Sequence, residues 1–352
     1  MAQRNGPPGV VGPGRRPSCG SLNSGWVYLD RIRREAGGGE AVLEFYTRRY
    51  THSSRDEWRR RIESGMIRVD GEVVSVEVVL EAGQDLTYHR PPWREPAVPR
   101  GFEILFEDGE VAAIDKPAGL PVLPGAEYLE NTLLWMVRRH YPDEDPAPVH
   151  RLGRGTSGAI LFATGALARR GLSIDLQEGR VHKRYRALVQ GVPREDEFTV
   201  TESIGRLPHP LMGYVYGVRA DGKPSRSEVR VLERRRPDRC KQAPGTGGSG
   251  RTGSAEAESG CALVQVDIPT GRPHQIRIHL AAAGFPLVGE PLYASGGEPA
   301  APSGAGRPPL PGDGGYHLHS TRVGFRHPST HETVVVYCRP PEILRRREET
   351  VS

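Results

Sequence analysis

The segment HRLGRGTSG at 150–158 has the residue types and spacing of two different chemistries. Gly153, Gly155 and Gly158 spell G-x-G-x-x-G, the pattern of a turn that binds the pyrophosphate of a dinucleotide. Such a turn follows a buried strand and opens a helix. Here the preceding PAPVHRL is a poor buried strand, and the following AILFA favours a strand over a helix. Asp175, at the distance expected of a ribose ligand, falls inside a predicted helix, so the pattern disfavours a dinucleotide-dependent oxidoreductase.

A second polar segment, TGRPHQIRIH, covers residues 270–279. It predicts a Thr-Gly turn followed by a helix, on which His274 and Arg277 share a face because they are three residues apart. The H-x-x-x-x-H spacing differs from the H-E-x-x-H of zinc-binding helices, so a metal site is not predicted. On a predicted strand, Lys183 and Arg184 add positive charge that suits phosphate contacts, although a solvated strand face explains them equally well.

The composition of the 352-residue chain limits the class of protein. A formal net charge of +5 permits a polyanionic partner without requiring one. No apolar run approaches the ~20 residues of a membrane span, so no membrane association is predicted. The four cysteines lie far apart without a C-x-x-C pair. Their spacing disfavours a disulfide framework and a zinc site, and it fits an intracellular, reducing compartment, with cytoplasm, nucleus and organelle all left open.

The N-terminal part of the chain predicts a tail and a small module. Residues 1–25 have no apolar core, and we expect a disordered tail there, with a weak organellar transit peptide as the alternative. Within a module at 41–90, the serine pair 53–54 predicts the N-cap of a helix, and MIRVDGEVV predicts a hairpin around an Asp-Gly turn. The helix carries Arg55 and Arg59, which form either a solvated face or a phosphate-contacting one.

A larger domain is predicted over 101–340, after a proline-rich linker at 91–100. It contains strands in hairpins with interspersed helices rather than a regular alternation of strand and helix. This pattern favours a mixed α+β fold over a doubly wound parallel sheet. Two stretches rich in glycine, serine and proline, at 235–260 and 294–315, predict flexible insertions.

The segment VHRLGRGTSGAILFA resembles the H-R-L-D-x-x-T-S-G segment of the RluA-type RNA pseudouridine synthases. Other segments that resemble this family follow the expected order: AIDKPAGLPV (113–122), VHKRYRALVQG (181–191), TGRPHQIRIHLAAAGFPLVGEPLYA (270–294) and HLHS (317–320). The resemblance implies the catalytic fold of that family, a mixed and largely antiparallel sheet with flanking helices. The module at 41–90 is similar to the S4-like (alpha-L) RNA-binding domain that often precedes this catalytic domain.

The resemblance also implies a reaction, the isomerisation of specific uridines to pseudouridine in RNA. It implies no cofactor and no metal. The expected partner is ribosomal or transfer RNA, organellar RNA included, and we expect a monomer. The target nucleotide must leave its stack to enter the site, at a cost of a few kcal/mol.

The resemblance assigns roles residue by residue. Arg151 corresponds to the arginine that occupies or holds the space of the flipped base, with a structural ion pair as the alternative. Tyr185 corresponds to the tyrosine that packs on the target base, with a core tyrosine as the alternative. Arg272 corresponds to the arginine that orients the catalytic carboxylate. The residues expected at the RNA are His150, Arg154, Thr156, Lys183, Arg184, His274, Arg277 and, in the S4-like module, Arg55 and Arg59.

One position departs from the family pattern. The nucleophile of the family is the Asp of H-R-L-D, and this chain has Gly153 there. A glycine has no side chain that can attack the ribose or the base. Two hypotheses therefore stay open: an active synthase whose carboxylate comes from elsewhere, Asp115 being a candidate, or a catalytically impaired RNA-binding homologue that keeps the pocket.

Overall fold

A computed structural model describes residues 22–33, 38–209, 212–237, 240, 260–300 and 308–350. The chain divides between residues 96 and 97 into two compact units. Most of the predicted tail (residues 1–21) and most of the predicted insertion at 235–260 (238–239 and 241–259) lie outside the described residues. Within the described ranges, no helix has the length and apolar character needed to cross a membrane.

The N-terminal unit is a four-stranded antiparallel sheet with two helices, in the order β1-β4-β2-β3. Its elements are β1 (Trp26–Arg31), α1 (Val42–Arg49), α2 (Arg55–Glu63), β2 (Ile67–Val69), β3 (Glu72–Val73) and β4 (Asp85–Arg90). Ser54 caps α2 in a capping box with Glu57, and the predicted hairpin turns at Asp70, so both predictions are confirmed. Strand β1 pairs with β4 along its whole length, so the sheet requires residues that precede the predicted module.

The C-terminal unit is built on a ten-stranded sheet in which eight strands have the order β10-β13-β14-β9-β15-β8-β6-β5, while β16 pairs with β15 and β7 with β8. Its strands are β5 (Glu103–Glu107), β6 (Val111–Lys116), β7 (Ala147–Pro148), β8 (Ser157–Ala163), β9 (His182–Gln190), β10 (Glu197–Val200), β11 (Ile204–His209), β12 (Gly213–Val218), β13 (Ser227–Arg235), β14 (Cys261–Asp267), β15 (Leu318–Arg326) and β16 (Thr333–Tyr337). Its helices are α3 (Leu133–His140), α4 (Ala166–Gln177) and α5 (Gln275–Ala282). All pairs are antiparallel except β15 with β8, and β11 and β12 form a separate hairpin. The predicted α+β class is confirmed.

Two cores cover the two faces of this sheet. Along β9, Tyr185, Ala187 and Val189 alternate onto the face that is packed by α3 and α5, as the sequence pattern predicts. The opposite face packs against α4 through residues such as Leu172. The segment 150–158 joins β7 to β8 and places Leu152 in the core of the first face, so that face carries the candidate site.

One expectation from composition is corrected, and a second stays a prediction. The sequence disfavours disulfides, but Cys240 and Cys261 are bonded, because β13 and β14 are antiparallel neighbours and bring the two ends of their connection together. The stretch 294–315 is expected to be a flexible insertion. In its described parts, the carbonyl groups of Pro311 and Gly312 accept hydrogen bonds from arginine side chains of the core and of the 150–158 segment.

Candidate active site

The 150–158 segment is fixed to the Lys-Pro-x-Gly turn by one buried lysine. Lys116, at the end of β6, is fully buried, and its Nζ donates to the carbonyl oxygens of Pro117 (2.8 Å), Leu120 (2.7 Å) and Arg154 (3.2 Å). The Gly119 N–H donates to the same Arg154 carbonyl at 2.7 Å. Burial lowers the pKa of Lys116 to about 7, and three carbonyl acceptors favour its protonated form, which donates all three bonds. Two motifs that are distant in sequence therefore form one rigid loop pair.

The three glycines of this segment allow close approaches within the protein. Gly158 has φ +104°, and a β-carbon there would lie 2.3 Å from the Ser320 carbonyl oxygen, because β8 and β15 run side by side. A β-carbon on Gly155 would lie 2.9 Å from ring carbons of Tyr316, and one on Gly153 would lie 3.0 Å from the Tyr316 hydroxyl. The G-x-G-x-x-G spacing thus has a packing cause, which agrees with its rejection as a dinucleotide turn.

Tyr185 presents an aromatic ring on the site face of β9. It is 5% exposed, and burial raises its pKa, so the phenol stays neutral. Ser320 lies directly across from it on β15 and is fully buried. The Ser320 hydroxyl beside the phenol lowers the pKa of Tyr185 by less than burial raises it. A flat ring beside a second hydroxyl can pack on a planar base and hydrogen-bond its edge.

Two arginines of the 150–158 segment differ in their surroundings. Arg154 is held in place, since its Nε donates to the Gly312 carbonyl at 2.6 Å and its guanidinium also donates to the Tyr128 hydroxyl. Arg151 is exposed and forms no ion pair or hydrogen bond with any residue that the structure describes. Its guanidinium is therefore available to a nucleic acid or to an emptied base position.

The family model for RNA pseudouridylate synthase matches residues 110–282. The chain is 40% identical over 312 residues to an uncharacterized RNA pseudouridine synthase of Synechocystis sp., covering 88% of this chain and 98% of that protein. It is 37% identical over 376 residues to RNA pseudouridine synthase 5 of Arabidopsis thaliana, covering 94% and 96%. The structure of human RNA pseudouridylate synthase domain containing 1 shares the fold, with TM-score 0.50 and 22% identity over 73% of this chain and 96% of that chain.

This chain belongs to the RNA pseudouridine synthase family. Its reaction is the isomerisation of uridine to pseudouridine in RNA, carried out on an RluA-type catalytic fold. These relatives give no support to the alternative of a catalytically impaired homologue.

The arginine of the T-G-R motif has no carboxylate partner among the described residues. Arg272 donates from its backbone N–H to Gln275 at 3.0 Å and from its Nε to the Pro224 carbonyl at 3.0 Å. Its expected partner, the family aspartate, is Gly153 in this chain. The role of Arg272 as the orienting cation stays a prediction.

Asp115, the carboxylate proposed as a substitute for the family aspartate, lies on the wrong face of the sheet. Alternation along β6 puts Lys116 on the site face and Asp115 on the face packed by α4, where it interacts with the Cys338 thiol. Burial, the largest cause, raises the pKa of Asp115. This carboxylate cannot reach Tyr185 unless the strand is turned over. Asp115 is therefore excluded as the replacement for the family aspartate.

Four of the expected RNA contacts are used inside the protein. Arg277 is 2% exposed and forms a bidentate ion pair with Glu290, at 2.8 and 2.5 Å. The Nδ1 of His274 lies 2.7 Å from the Tyr293 hydroxyl. That hydroxyl donates to the Tyr216 carbonyl, so Nδ1–H is the donor to the tyrosine oxygen. These two side chains position the core beside the site and are not available to phosphate.

His150 and Thr156 are the other two. The Nε2 of His150 accepts the Leu161 backbone N–H at 3.3 Å, and burial together with the Lys183 charge lowers its pKa to about 3. Thr156 is 4% exposed, and its hydroxyl lies 3.3 Å from that of Tyr316. The neutral imidazole of His150 and the buried hydroxyl of Thr156 therefore stabilise the loop and are not placed to contact an RNA strand.

Two further residues expected at the RNA, Lys183 and Arg184, lie on β9. Lys183 is 7% exposed on the same face as Tyr185, and burial lowers its pKa to about 8. Arg184 points to the other side and pairs with Asp267 at 2.8 Å, half-exposed. Sequence reasoning missed Tyr316 and Glu290. Glu290 lies within the segment 270–294 and Tyr316 directly precedes HLHS, but their partners Arg277 and Thr156 are identified only by the fold.

Proposed function

We propose that this chain pseudouridylates structured ribosomal or transfer RNA, with Arg151 entering the space of the flipped base and Tyr185 packing on the target uracil. The observation that supports this most is the contrast within one loop, where Arg154 is bonded on several sides and Arg151 is exposed without a partner among the described residues. A planar guanidinium can stack in place of an extruded base and hydrogen-bond its former partner.

Ribosomal RNA is the first target to test. Ribosomal large subunit pseudouridine synthase D of Neisseria meningitidis is 31% identical to this chain over 312 residues, covering 85% of this chain and 75% of that protein. Pseudouridines are mapped in ribosomal and transfer RNA from cells with the protein, without it, and with the Arg151→Ala variant restored. We expect at least one site to vanish in the deletion and to stay absent with Arg151→Ala. A map that is identical in all three would contradict the proposal.

We propose further that the N-terminal unit is an S4-like RNA-binding domain. On α2, Arg55 pairs with Glu44 at 2.6 Å, and Arg61 stacks on the Trp58 ring at 4.4 Å. Arg59 and Arg60 stand between them, with Arg60 exposed, and they are the residues of α2 best placed to contact phosphate.

The double variant Arg59→Ala/Arg60→Ala should weaken RNA binding by about tenfold at moderate salt and reduce the salt slope by ~2, because two phosphate contacts are lost. Filter binding at several salt concentrations measures both. Arg48→Ala is the matched control, since that exposed arginine of α1 is paired with Glu40 at 2.7 Å. An unchanged salt slope in the double variant would argue against RNA binding by α2.

The proposed enzyme works as a monomer inside the cell, without metal or cofactor. Among the described residues, no group of three or more His, Cys, Asp or Glu side chains is arranged to hold a metal ion. Turnover that is unaffected by EDTA and sedimentation as a single chain are the expected results.

A further inference from the structure

The most unusual feature of the site is the tyrosine that fills the position of the missing carboxylate. We propose that Tyr316 is the catalytic nucleophile of this chain, its phenolic oxygen taking the role that the family gives to the aspartate of H-R-L-D. This inference rests on the isomerase function proposed above and adds the identity of the attacking group.

The position of the hydroxyl is the first observation. A β-carbon on Gly153, from which the family carboxylate would extend, would lie 3.0 Å from the Tyr316 hydroxyl. A carboxylate oxygen lies roughly 2.4 Å from its own β-carbon, so the hydroxyl is a little beyond that reach but in the same neighbourhood. The phenolic oxygen is therefore the nearest side-chain oxygen to the point from which the family carboxylate would extend, although it comes from a residue that is remote in sequence.

The hydroxyl is also held in place. The ring lies against Gly155, where a β-carbon would come within 2.9 Å of it, and the hydroxyl lies 3.3 Å from that of Thr156. The Gly153 carbonyl accepts the Thr156 N–H at 3.0 Å, which closes the turn around the phenol. Tyr316 is 5% exposed, as is Tyr185 in the same core cluster. A nucleophile needs this kind of fixed geometry.

A positive charge lies beside the ring. The Arg277 guanidinium is 4.3 Å from the centre of the Tyr316 ring and is oriented by the buried carboxylate of Glu290. A fixed cation over an aromatic face stabilises negative charge as it develops on the phenolic oxygen. Glu290 itself accepts both arginine bonds and the Leu292 N–H, so it is not free to attack.

The chemistry balances without a co-reactant. The phenolic oxygen attacks C1′ of the target ribose, and the O–C1′ bond forms as the C1′–N1 bond breaks. The electron pair of the broken bond stays with uracil, which takes the phenolic proton. After the uracil turns, the C5–C1′ bond forms as the O–C1′ bond breaks, and the C5 proton returns to the phenolate. Tyrosine serves as a glycosyl nucleophile in sialidases, so the bond type has a precedent.

The test is tritium release from [5-³H]uridine-labelled total RNA of cells that lack the protein, under single-turnover conditions. Tyr316→Phe removes one oxygen and keeps the ring that packs on Gly155 and lies under Arg277. We expect its rate to fall by at least about 100-fold, with RNA affinity and melting temperature close to those of the parent. Tyr337→Phe is the matched control, because that tyrosine of β16 is 71% exposed, and it should keep the parental rate.

Two outcomes would overturn the inference in different ways. A Tyr316→Phe rate within about threefold of the parent would show that the nucleophile is another group, while leaving the isomerase function intact. No release by the parental chain from any RNA would contradict the proposed function, and this inference with it.

Discussion

At the scale of the residue, the presence of glycine at 153 and 155 is explained by Tyr316. This tyrosine follows the neighbouring Thr156 by 160 residues in the chain. Neither glycine has a positive φ, so conformational freedom does not require them. Space does, because the Tyr316 ring and hydroxyl occupy the volume that side chains at these positions would need. The absence of a carboxylate at position 153 and the presence of the Tyr316 phenol are therefore parts of one local arrangement.

This arrangement predicts the effect of one added methyl group. Gly155→Ala would bring a β-carbon within 2.9 Å of the Tyr316 ring, so the ring or the loop must shift, and we expect a loss of about 1–3 kcal/mol of unfolding free energy. Gly165→Ala is the control, since that glycine has extended backbone and nothing lies within 4 Å of the position that its methyl group would occupy. Equal urea midpoints for the two variants would show that Tyr316 does not fill the site in solution.

At the scale of the element, the active-site loop depends on a lysine at the end of β6. Lys116 joins the turn at 117–120 to the carbonyl of Arg154, which lies on the connection between β7 and β8. The first face of the sheet thus receives both loops in a fixed relation before any substrate binds. A preformed loop pair suits a reaction in which one side chain must meet one carbon atom.

Replacing this lysine should loosen both loops. Lys116→Met fills a similar volume but removes the ammonium donor from three carbonyl oxygens, of which that of Arg154 keeps the Gly119 N–H, and we expect about 2 kcal/mol of lost unfolding free energy. Lys223→Met, at an exposed turn, is the matched control and should leave stability unchanged. Urea unfolding of both variants measures the difference, and a stable Lys116→Met variant would contradict the assigned role of the ammonium group.

At the scale of the whole molecule, the sequence predicts those structural features that are determined by residues close together in the chain. The N-cap at Ser54, the hairpin at Asp70 and the alternation through Tyr185 are short-range features, and the structure confirms each of them. Strand β1, the bond from Cys240 and the placement of Tyr316 depend on partners that are far away in sequence. No local period or propensity encodes such partners, so the fold class was predictable and the groups that complete the site were not.

The buried histidines make the stability of the whole fold sensitive to mild acid. Burial lowers the pKa of His150 and His274 to about 3 and that of His319 to about 4, against an ordinary value of about 6.5. Between pH 6.5 and 4 the unfolded chain binds protons at these residues and the folded chain does not. The unfolding free energy should therefore fall as the pH falls through this window, by up to about 1.4 kcal/mol per pH unit for each histidine.

The upper half of this window precedes the titration of carboxylates such as Glu349, whose pKa is lowered in the folded chain from 4.5 to about 2 by its hydrogen bond with Arg186. Urea midpoints between pH 7.5 and 4.5 measure the effect of the histidines. His274→Asn tests one contribution, because asparagine tolerates the left-handed backbone at φ 55° and its amide can donate to the Tyr293 oxygen in place of Nδ1–H. The variant should lose stability less steeply with falling pH than the parent. Parallel curves for the two proteins would mean that His274 is protonated in the folded state and that its burial does not govern its charge.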